Sequence, residues 1–288
     1  MGRARRLGVL GWPVAHSRSP QIQNAALAAS GLDGWRYQLL PVPPALLGEI
    51  VPALPAAGFA GANVTIPHKQ AALRLATDVT PAARAIGAAN TLVFGAGGLI
   101  HADNTDAPAL VAALPFGVAG RSALVLGAGG SARAAVWALL DAGAARVSVL
   151  NRTHERAVEL CSALGGTPVS SPAAADLLVN CTAVGLDGSD PFGRLPLTAD
   201  ALFDYGCVVD LVYTDRGTRL IEAARERGIP AVDGLELLVG QGALSFERFT
   251  GLAAPLDAMR AAVGMAAGCG AVAGGAMRGD PGAGRASG

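Results

Sequence analysis

The sequence predicts an α/β fold built around a doubly wound parallel sheet. Strand-like and helix-like segments alternate along most of the chain, which is the pattern of repeated βαβ units. Residues 123–126 are all apolar, as is typical of a strand that is buried on both faces of a parallel sheet. A glycine-rich turn follows that strand and leads into a helical pattern, so the segment reads as the start of a βα unit.

Composition excludes several classes of protein. The chain has 288 residues, of which 51% are hydrophobic and 15% charged, so it is not intrinsically disordered. Basic and acidic residues number 22 each and form no cluster, which excludes a nucleic-acid or membrane-surface footprint. Apolar runs are too short for a membrane span or a secretory signal, so we expect a cytoplasmic protein. The four cysteines are scattered without a CxxC pair, so neither disulfides nor a metal site are expected.

Helix-start signals and apolar runs define the elements of the first hundred residues. Ser19-Pro20 opens a helix that ends near Gly31, because serine favours the N-cap and proline the first helical position. Pro67 ends a strand, since proline cannot donate a ladder hydrogen bond. The predicted strands are residues 7–10, 35–40, 62–66 and 91–94, and further helices are predicted at 44–54, 68–76 and 104–114.

A second unit begins at Arg121 and repeats the strand–helix order. Its predicted strands are residues 123–126, 146–150, 176–179 and 207–212. Its predicted helices are one that follows the glycine-rich turn and ends near Ala142, and those at 153–164 and 218–227. A long helix at 234–249, closed by Gly251, and a helix at 255–266 follow. Residues 267–288 are rich in glycine and alanine without periodicity, which predicts a disordered tail.

The glycine-rich turn has the spacing of a dinucleotide-binding motif, Gly127-x-Gly129-x-x-Ala132. The first glycine permits a tight turn, and the second lets the backbone approach a pyrophosphate. The N-terminus of the following helix supplies free N–H groups and a positive dipole. This motif makes the second unit a Rossmann-type domain, although a glycine-rich turn without a nucleotide is the alternative.

The next strand indicates which dinucleotide binds. It ends in Asn151-Arg152-Thr153, where an NAD site usually has a carboxylate for the ribose hydroxyls. Arg152, and Arg156 one turn later, instead offer guanidinium groups that suit a 2′-phosphate. NADP is therefore favoured over NAD. Arg156 is equally compatible with an exposed helix position, and Thr153 with an N-cap.

Lys69 is the only lysine in a chain whose other basic residues are arginine. It follows a strand that carries Asn63 and Thr65 on one face. A lysine amine can give a proton to a carbonyl oxygen or take one from a hydroxyl. A solvated surface lysine is the alternative, but this chain uses arginine for that purpose.

Three further polar clusters lie outside the nucleotide motif. Ser17 and Ser19 place two hydroxyls at a helix start, where they suit a carboxylate or where Ser19 acts as a simple N-cap. Asn90-Thr91 is the second cluster, and the third is residues 103–106. In that third cluster Asp103 fits a solvated loop, and Asp106 fits stabilisation of a helix dipole.

Together these segments resemble the shikimate dehydrogenase family, over nearly the whole length to about residue 265. The matching segments are His16-Ser17-Arg18-Ser19-Pro20, Asn63-Val64-Thr65-Ile66-Pro67-His68-Lys69, Ala89-Asn90-Thr91, Asn104-Thr105-Asp106, Gly127-Ala128-Gly129-Gly130-Ser131-Ala132-Arg133, Asn151-Arg152-Thr153, Asn180-Cys181-Thr182, Val209-Asp210-Leu211-Val212-Tyr213 and Gly240-Gln241. The chain departs from the family at Leu186 and Leu238, where methionine is common, and at Phe249, where tryptophan is common.

The resemblance implies an NADP-dependent enzyme that interconverts 3-dehydroshikimate and shikimate in aromatic amino-acid biosynthesis. It implies Lys69 as acid and base, paired with Asp106. Substrate contacts are implied for Ser17, Ser19, Thr65, Asn90, Asp106, Tyr213 and Gln241. Cofactor contacts are implied for Gly127, Ala128, Gly129, Gly130, Ser131, Ala132, Asn151, Arg152, Thr153, Arg156, Thr182, Ala183, Val184, Leu211 and Gly234, and no metal is implied.

The resemblance also implies an α/β substrate-binding domain beside the Rossmann-type domain, with the ligands in the cleft between them. The expected divisions are residues 1–106 for the substrate domain, 107–235 for the NADP domain, and 236–266 for helices that return to the substrate domain. The family includes monomers and homodimers. Three alternatives stay open: a quinate or aminoshikimate dehydrogenase, an NADP-binding protein with another substrate, and a sensor that binds shikimate without turnover.

Overall fold

The structure, a computed structural model, describes residues 5–214 and 217–266 and contains two six-stranded sheets. The tail predicted at residues 267–288 lies outside the described residues. The first sheet consists of β1 (Arg5–Gly11), β2 (Trp35–Pro41), β3 (Phe59–Val64), β4 (Asp78–Val79), β5 (Thr91–Phe94) and β6 (Ile100–Asp103). The helices of this half are α1 (Ser19–Ala29), α2 (Leu47–Ala53), α3 (Lys69–Leu75), α4 (Pro81–Ile86) and α5 (Asp106–Ala113), with 3₁₀ turns at Pro44–Leu46 and Ala96–Gly98.

The first sheet is mixed, and its register gathers the polar segments at one edge. Its strand order is β2-β1-β3-β5-β6-β4. β1 runs parallel to β3, so the chain segments that follow Gly11 and Val64 leave from the same end of the sheet. β5 is antiparallel to both neighbours and pairs Thr91 with Asn63 on one side and with Asp103 on the other. The chain segments around residues 65, 90 and 104 therefore lie side by side at one end of these three strands.

The second sheet is entirely parallel and confirms the predicted doubly wound fold. It consists of β7 (Ser122–Leu126), β8 (Arg146–Leu150), β9 (Thr167–Val169), β10 (Ala175–Asn180), β11 (Tyr205–Asp210) and β12 (Ala231–Val232). Its helices are α6 (Gly130–Asp141), α7 (His154–Leu164) and α8 (Arg219–Glu226), with 3₁₀ turns at Pro191–Gly193 and Asp200–Asp204. The strands lie in the order β12-β11-β10-β7-β8-β9. From β7 the chain adds strands on one side as far as β9, and from β10 it adds them on the other side as far as β12. Sheets of this kind leave a crevice for ligands at that switch point, between β7 and β10.

Each sheet has its own hydrophobic core. Valines of β7, β8 and β10 pack with Leu139 of α6 in the second half. The last two helices, α9 (Gly234–Thr250) and α10 (Leu256–Ala262), pack instead on α1, where Phe246, Ile22 and Met259 are fully buried. The chain thus returns to the first sheet after completing the second. That residues 106 and 235 mark the limits of separate domains stays a prediction.

Two predicted boundaries in the first half are wrong. The strand predicted at residues 62–66 ends at Val64, because the chain turns there and the N–H of His68 donates to the carbonyl oxygen of Thr65. The helix predicted from residue 104 begins at Asp106. Asn104 precedes that helix, and its Oδ1 accepts the N–H of Asp106 at 3.1 Å.

Other differences concern short elements. The helix predicted at residues 255–266 spans only Leu256–Ala262, and the segment predicted as one helix at 44–54 is a 3₁₀ turn followed by α2. β4, β6, β9, β12 and α4 were not predicted. Three of these strands have two or three residues, which is too short for a period of two to be visible in the sequence.

Truncating Phe246 to alanine is expected to lower the free energy of unfolding by about 3–5 kcal/mol, because its fully buried ring leaves a cavity between α9 and α1. Denaturant unfolding measures the change. Phe203→Ala is the matched control, since that ring is 67% exposed and its loss is expected to cost at most about 0.5 kcal/mol. Equal losses in the two variants would contradict the packing described here.

Candidate active site

A cavity of about 160 Å³ lies between the two sheets, beside the carboxyl ends of β1, β3, β10 and β11. Every residue that was predicted to contact the substrate lines this cavity: Ser17, Ser19, Thr65, Asn90, Asp106, Tyr213 and Gln241. These residues come from both halves of the chain and from α9, so the sheet topology brings them together. Their roles in binding stay predictions.

Lys69 and Asp106 form an ion pair at the centre of the lining. Lys69 is the first residue of α3, and its Nζ lies 2.6 Å from Oδ2 of Asp106, the first residue of α5. The side chains are only 11% and 18% exposed, so solvent screens the attraction less than at an open surface. The predicted pairing of these two groups is present, and it leaves an ammonium group facing a cavity.

The lysine also contacts the other half of the molecule. Its Nζ donates to Oγ of Ser131, the second residue of α6, at 3.0 Å. A Cβ atom added to Gly130 would lie 2.7 Å from the Cβ of Lys69, which is closer than real side-chain contacts allow. Glycine at position 130 therefore lets the nucleotide motif approach the lysine directly.

Asn90 fixes the direction of the Asp106 carboxylate. Its Nδ2 donates to Oδ1 of Asp106 at 2.8 Å and lies 3.2 Å from Oε1 of Gln241. Its Oδ1 accepts the N–H of Thr105 at 2.8 Å, which distinguishes the two ends of the amide. Since Asn90 occupies one carboxylate oxygen, Lys69 takes the other.

Ser17, Ser19 and Tyr213 form a hydroxyl group cluster at another wall of the cavity. Ser17 Oγ lies 3.2 Å from Ser19 Oγ, and the hydroxyl of Tyr213 accepts the N–H of Arg18 at 3.5 Å. Burial raises the pKa of Tyr213, so its hydroxyl stays protonated and can donate to an anion. The alternative role of Ser19 as N-cap is wrong, because Arg18 occupies that position and Ser19 lies inside the helix.

A buried network behind the cavity was not predicted as part of the site. Asn63 lines the cavity, and its Nδ2 donates to Oγ of Ser245 at 2.8 Å. The hydroxyl of Tyr37 donates to Oδ1 of Asn63 at 2.8 Å. Ser245 also contacts Thr91 and Thr105, at 2.9 and 3.1 Å. Asn63 and Thr91 stand in polar segments noted in the sequence, whereas the signal for Ser245 is that it follows Gln241 by four residues on the same helix face.

Asp103 is not the solvated loop residue that its sequence context allowed. It is 5% exposed, and its Oδ2 accepts Nε of Arg248 at 2.8 Å. Oγ1 of Thr80 donates to its Oδ1 at 2.8 Å. Burial alone raises the pKa of Asp103, but these hydrogen bonds outweigh it and leave the pKa below its usual value. The pair ties α9 to the strand that leads to Asp106.

The second half supplies the opposite wall of the cavity. Of the residues predicted to contact the cofactor, Ser131, Thr182, Ala183, Leu211 and Gly234 line it. A second cavity of about 560 Å³ adjoins the same turn and is lined by Ala128, Gly129, Gly130, Ser131 and Arg156. Six of the predicted residues line neither cavity: Gly127, Ala132, Asn151, Arg152, Thr153 and Val184.

The glycine-rich turn has the backbone that a dinucleotide needs. Gly127 has φ +107°, a conformation that favours glycine, and a Cβ there would lie 3.2 Å from the backbone of Cys181. Gly129 is the N-cap of α6, and a Cβ added there would have no heavy atom within 4 Å. Free N–H groups thus face an open cradle, which fits the phosphates of a dinucleotide.

The segment after β8 is exposed, as a phosphate site requires. Arg152 and Arg156 are both solvent-accessible, with Arg156 in the first turn of α7. Thr153 is the N-cap of that helix but makes no side-chain capping bond, so its hydroxyl is available to a ligand. Nδ2 of Asn151 donates to the carbonyl oxygen of Thr153 at 2.8 Å, which shapes the turn.

The buried carboxylate of Asp210 joins the two loops that follow β10 and β11. Oδ1 of Asp210 accepts Nδ2 of Asn180 at 2.9 Å and the N–H of Val212 at 3.0 Å, and its Oδ2 accepts Thr218 Oγ1 at 2.7 Å. Oδ1 of Asn180 accepts the hydroxyl of Thr182 at 2.7 Å. Burial raises the pKa of Asp210 to about 6. The loops that carry Thr182 and Tyr213 are thereby held at one anchor.

The described part of the chain holds neither a metal-ligating cluster nor a helix suited to span a membrane. No group of three or more His, Cys, Asp or Glu side chains there is placed to hold a metal ion. Among the same residues, no helix has the length and apolar character to cross a membrane.

Three family models match the chain in sequence order. The substrate-binding domain of shikimate dehydrogenase matches residues 9–92, the shikimate/quinate 5-dehydrogenase model matches residues 111–183, and the C-terminal domain of shikimate 5′-dehydrogenase matches residues 234–263. These matches cover part of each sheet and the two returning helices, α9 and α10.

Similar proteins cover almost the full length of the chain. Shikimate dehydrogenase (NADP(+)) of Methylobacterium radiotolerans is 46% identical over 85% of this chain and 91% of its own length, and that of Roseobacter denitrificans is 43% identical over 89% and 96%. The crystal structure of shikimate 5-dehydrogenase from Thermus thermophilus in complex with NADP(H) and shikimate superposes with a TM-score of 0.79. It is 39% identical and covers 90% of this chain and 98% of its own. The chain belongs to the shikimate dehydrogenase family.

Proposed function

We propose that the protein catalyses the NADP-dependent, reversible reduction of 3-dehydroshikimate to shikimate. The observation that carries this proposal is the Lys69–Asp106 pair, which faces a cavity that also contains the Ser17, Ser19 and Tyr213 hydroxyls. A ketone substrate with a carboxylate and ring hydroxyls matches that set of groups. The family relationship and the NADP-dependent relatives support the same reaction.

Each side chain of the cavity then has a chemical role. Ser17, Ser19 and the protonated Tyr213 hydrogen-bond the substrate carboxylate. Thr65, Asn90 and Gln241 bind the ring hydroxyls, since their hydroxyl and amide groups both donate and accept. These contacts fix the ring so that its ketone oxygen lies near the amine of Lys69.

Lys69 and Asp106 handle the charge that develops during reduction. When bound, the nicotinamide supplies the hydride for the ketone carbon. Negative charge then grows on the ketone oxygen, where the ammonium of Lys69 stabilises it and gives it a proton. Asp106 keeps the ammonium directed into the cavity through the 2.6 Å ion pair. In the reverse direction Lys69 accepts the proton of the substrate hydroxyl.

The test is a comparison of two substrates with two cofactors. Shikimate and quinate are each mixed with the protein and NADP⁺ or NAD⁺, and the absorbance of the reduced cofactor is followed. We expect the cofactor to be reduced fastest when shikimate is combined with NADP⁺. A quinate preference would support the quinate alternative, whereas shikimate binding without any absorbance change would support a sensor.

Arg152→Ala is expected to raise the Kd of NADP⁺ about tenfold and to change that of NAD⁺ little, because only NADP⁺ carries the 2′-phosphate that a guanidinium group binds. Titration of each cofactor by calorimetry gives the two constants. Arg146→Ala is the matched control, since this exposed arginine lies at the start of the same strand, β8. Equal losses for both cofactors would remove Arg152 from the 2′-phosphate site.

A further inference from the structure

The larger of the two cavities is formed by both halves of the molecule. One wall is the segment from Ile66 to Arg74, which follows β3 and includes α3. The opposite wall is the glycine-rich turn and the α7 residues Arg156 and Glu159. The cradle that fits the dinucleotide phosphates therefore faces a wall of the substrate half, and does not open only to solvent.

The lining of this cavity is strongly basic, although the chain as a whole has as many acidic as basic residues. Lys69, Arg74, Arg133 and Arg156 line it, and Glu159 is the acidic residue among them. Such an excess of positive charge in a cleft concentrates anions. A ligand that carries several phosphates matches this charge.

The four cations are not equally available. Lys69 is paired with Asp106, and Nε of Arg133 donates to the carbonyl oxygen of Ile86 at 2.6 Å. Arg74 is exposed, and its Nη1 donates to the carbonyl oxygen of Gln70, one turn earlier in its own helix, at 3.3 Å. No carboxylate of the described residues lies within ion-pair distance of Arg74 or Arg156.

We propose that Arg74, on the substrate half, binds phosphate groups of the dinucleotide that the glycine-rich turn of the other half holds. This inference rests on the proposed NADP-dependent function and adds a contact from the opposite wall. A guanidinium fork binds phosphate oxygens in pairs, and a cleft between two walls strengthens that attraction relative to open solvent. Arg156 faces the same space from α7, so the two arginines lie on opposite sides of the ligand.

This contact makes cofactor binding sensitive to the distance between the two halves. Arg74 lies in α3 and the glycine-rich turn leads into α6, so a bound dinucleotide would bridge these two helices. Lys69, at the other end of α3, lines both cavities, so a ligand held by Arg74 lies beside the amine of the proposed reaction.

The experiment measures the Kd of NADP⁺ and NAD⁺ by calorimetry for the wild-type chain, Arg74→Ala and Arg74→Lys. We expect Arg74→Ala to raise the Kd of NADP⁺ about tenfold, which is a loss of about 1.4 kcal/mol. Arg74→Lys keeps the charge and is expected to lose less than Arg74→Ala. Arg36→Ala is the matched control, because Arg36 is an exposed arginine of the same half on the edge strand β2.

The two cofactors identify which phosphates Arg74 binds. A higher Kd for both cofactors in Arg74→Ala indicates that Arg74 binds the diphosphate, which they share. A higher Kd for NADP⁺ alone indicates that it binds the 2′-phosphate. Unchanged Kd values for both cofactors in Arg74→Ala would overturn the proposal. So would an equal rise in Arg36→Ala, because a general charge effect would explain it. If the wild-type chain bound neither cofactor, the proposed function would fail and not only the role of Arg74.

Discussion

Replacing Lys69 with alanine is expected to lower kcat for shikimate oxidation by at least about 10²-fold, with a smaller change in KM. The amine is the proposed acid and base towards the substrate oxygen, and alanine offers neither charge nor proton. Substrate contacts from Ser17, Ser19 and Tyr213 are unaffected, so binding suffers less than turnover. Steady-state kinetics with NADP⁺ measures both constants, and turnover near the wild-type value would show that the acid–base assignment is wrong.

Lys69→Arg distinguishes two roles between which the sequence does not decide, namely polarising the ketone oxygen and transferring a proton to it. Arginine keeps a positive charge but does not release its proton in the accessible pH range. If Lys69 mainly polarises the ketone oxygen, Lys69→Arg retains much more activity than Lys69→Ala. If proton transfer dominates, the two variants are equally slow. NADP⁺ binding by both variants checks that each has folded.

Asp106→Asn is expected to lower kcat/KM by about 10²-fold, because the substitution keeps the shape of the side chain but leaves the ammonium of Lys69 without its counter-charge. The 2.6 Å ion pair is lost, and the amine no longer has a fixed direction. Asn90 also loses a charged acceptor for its Nδ2.

Asp78→Asn is the matched control for that variant. Asp78 lies in the same half and contacts Nδ1 of His101 at 2.7 Å, but its side chain is 59% exposed and lines neither of the two cavities. Its loss is expected to leave kcat/KM unchanged. A comparable fall in both variants would indicate a general effect of removing a carboxylate and would contradict the role given to Asp106.

Local signals in the sequence predicted four of the six strands in each sheet, but the predicted parallel pairing is found throughout only in the second sheet. The apolar strand at residues 123–126 and the glycine spacing after it define a βα unit without reference to distant residues. In the first sheet, β6 pairs antiparallel with β5, and β4 has two residues. Such pairing depends on contacts far apart in the sequence, so local periodicity does not reveal it.

The candidate site shows the same division. Residues in recognisable motifs, such as Lys69 and Asp106, could be named from the sequence. Ser245 and Arg74 could not, because an ordinary serine in a helix and an ordinary arginine in a helix acquire meaning only from their neighbours in space. Ser245 is placed by the packing of α9 on the first sheet, and Arg74 by the approach of α3 to the glycine-rich turn.

Lys69 and Asp106 both follow strands of the first sheet, whereas Gly130 and Ser131 belong to the second. The pair proposed to exchange the proton therefore lies within one half, and the proposed cofactor site lies mainly in the other. A change in the spacing of the halves would alter the hydride donor–acceptor distance without breaking the pair. Substitutions in the connecting segments should thus change the deuterium isotope effect on hydride transfer while the pH–rate profile keeps its shape.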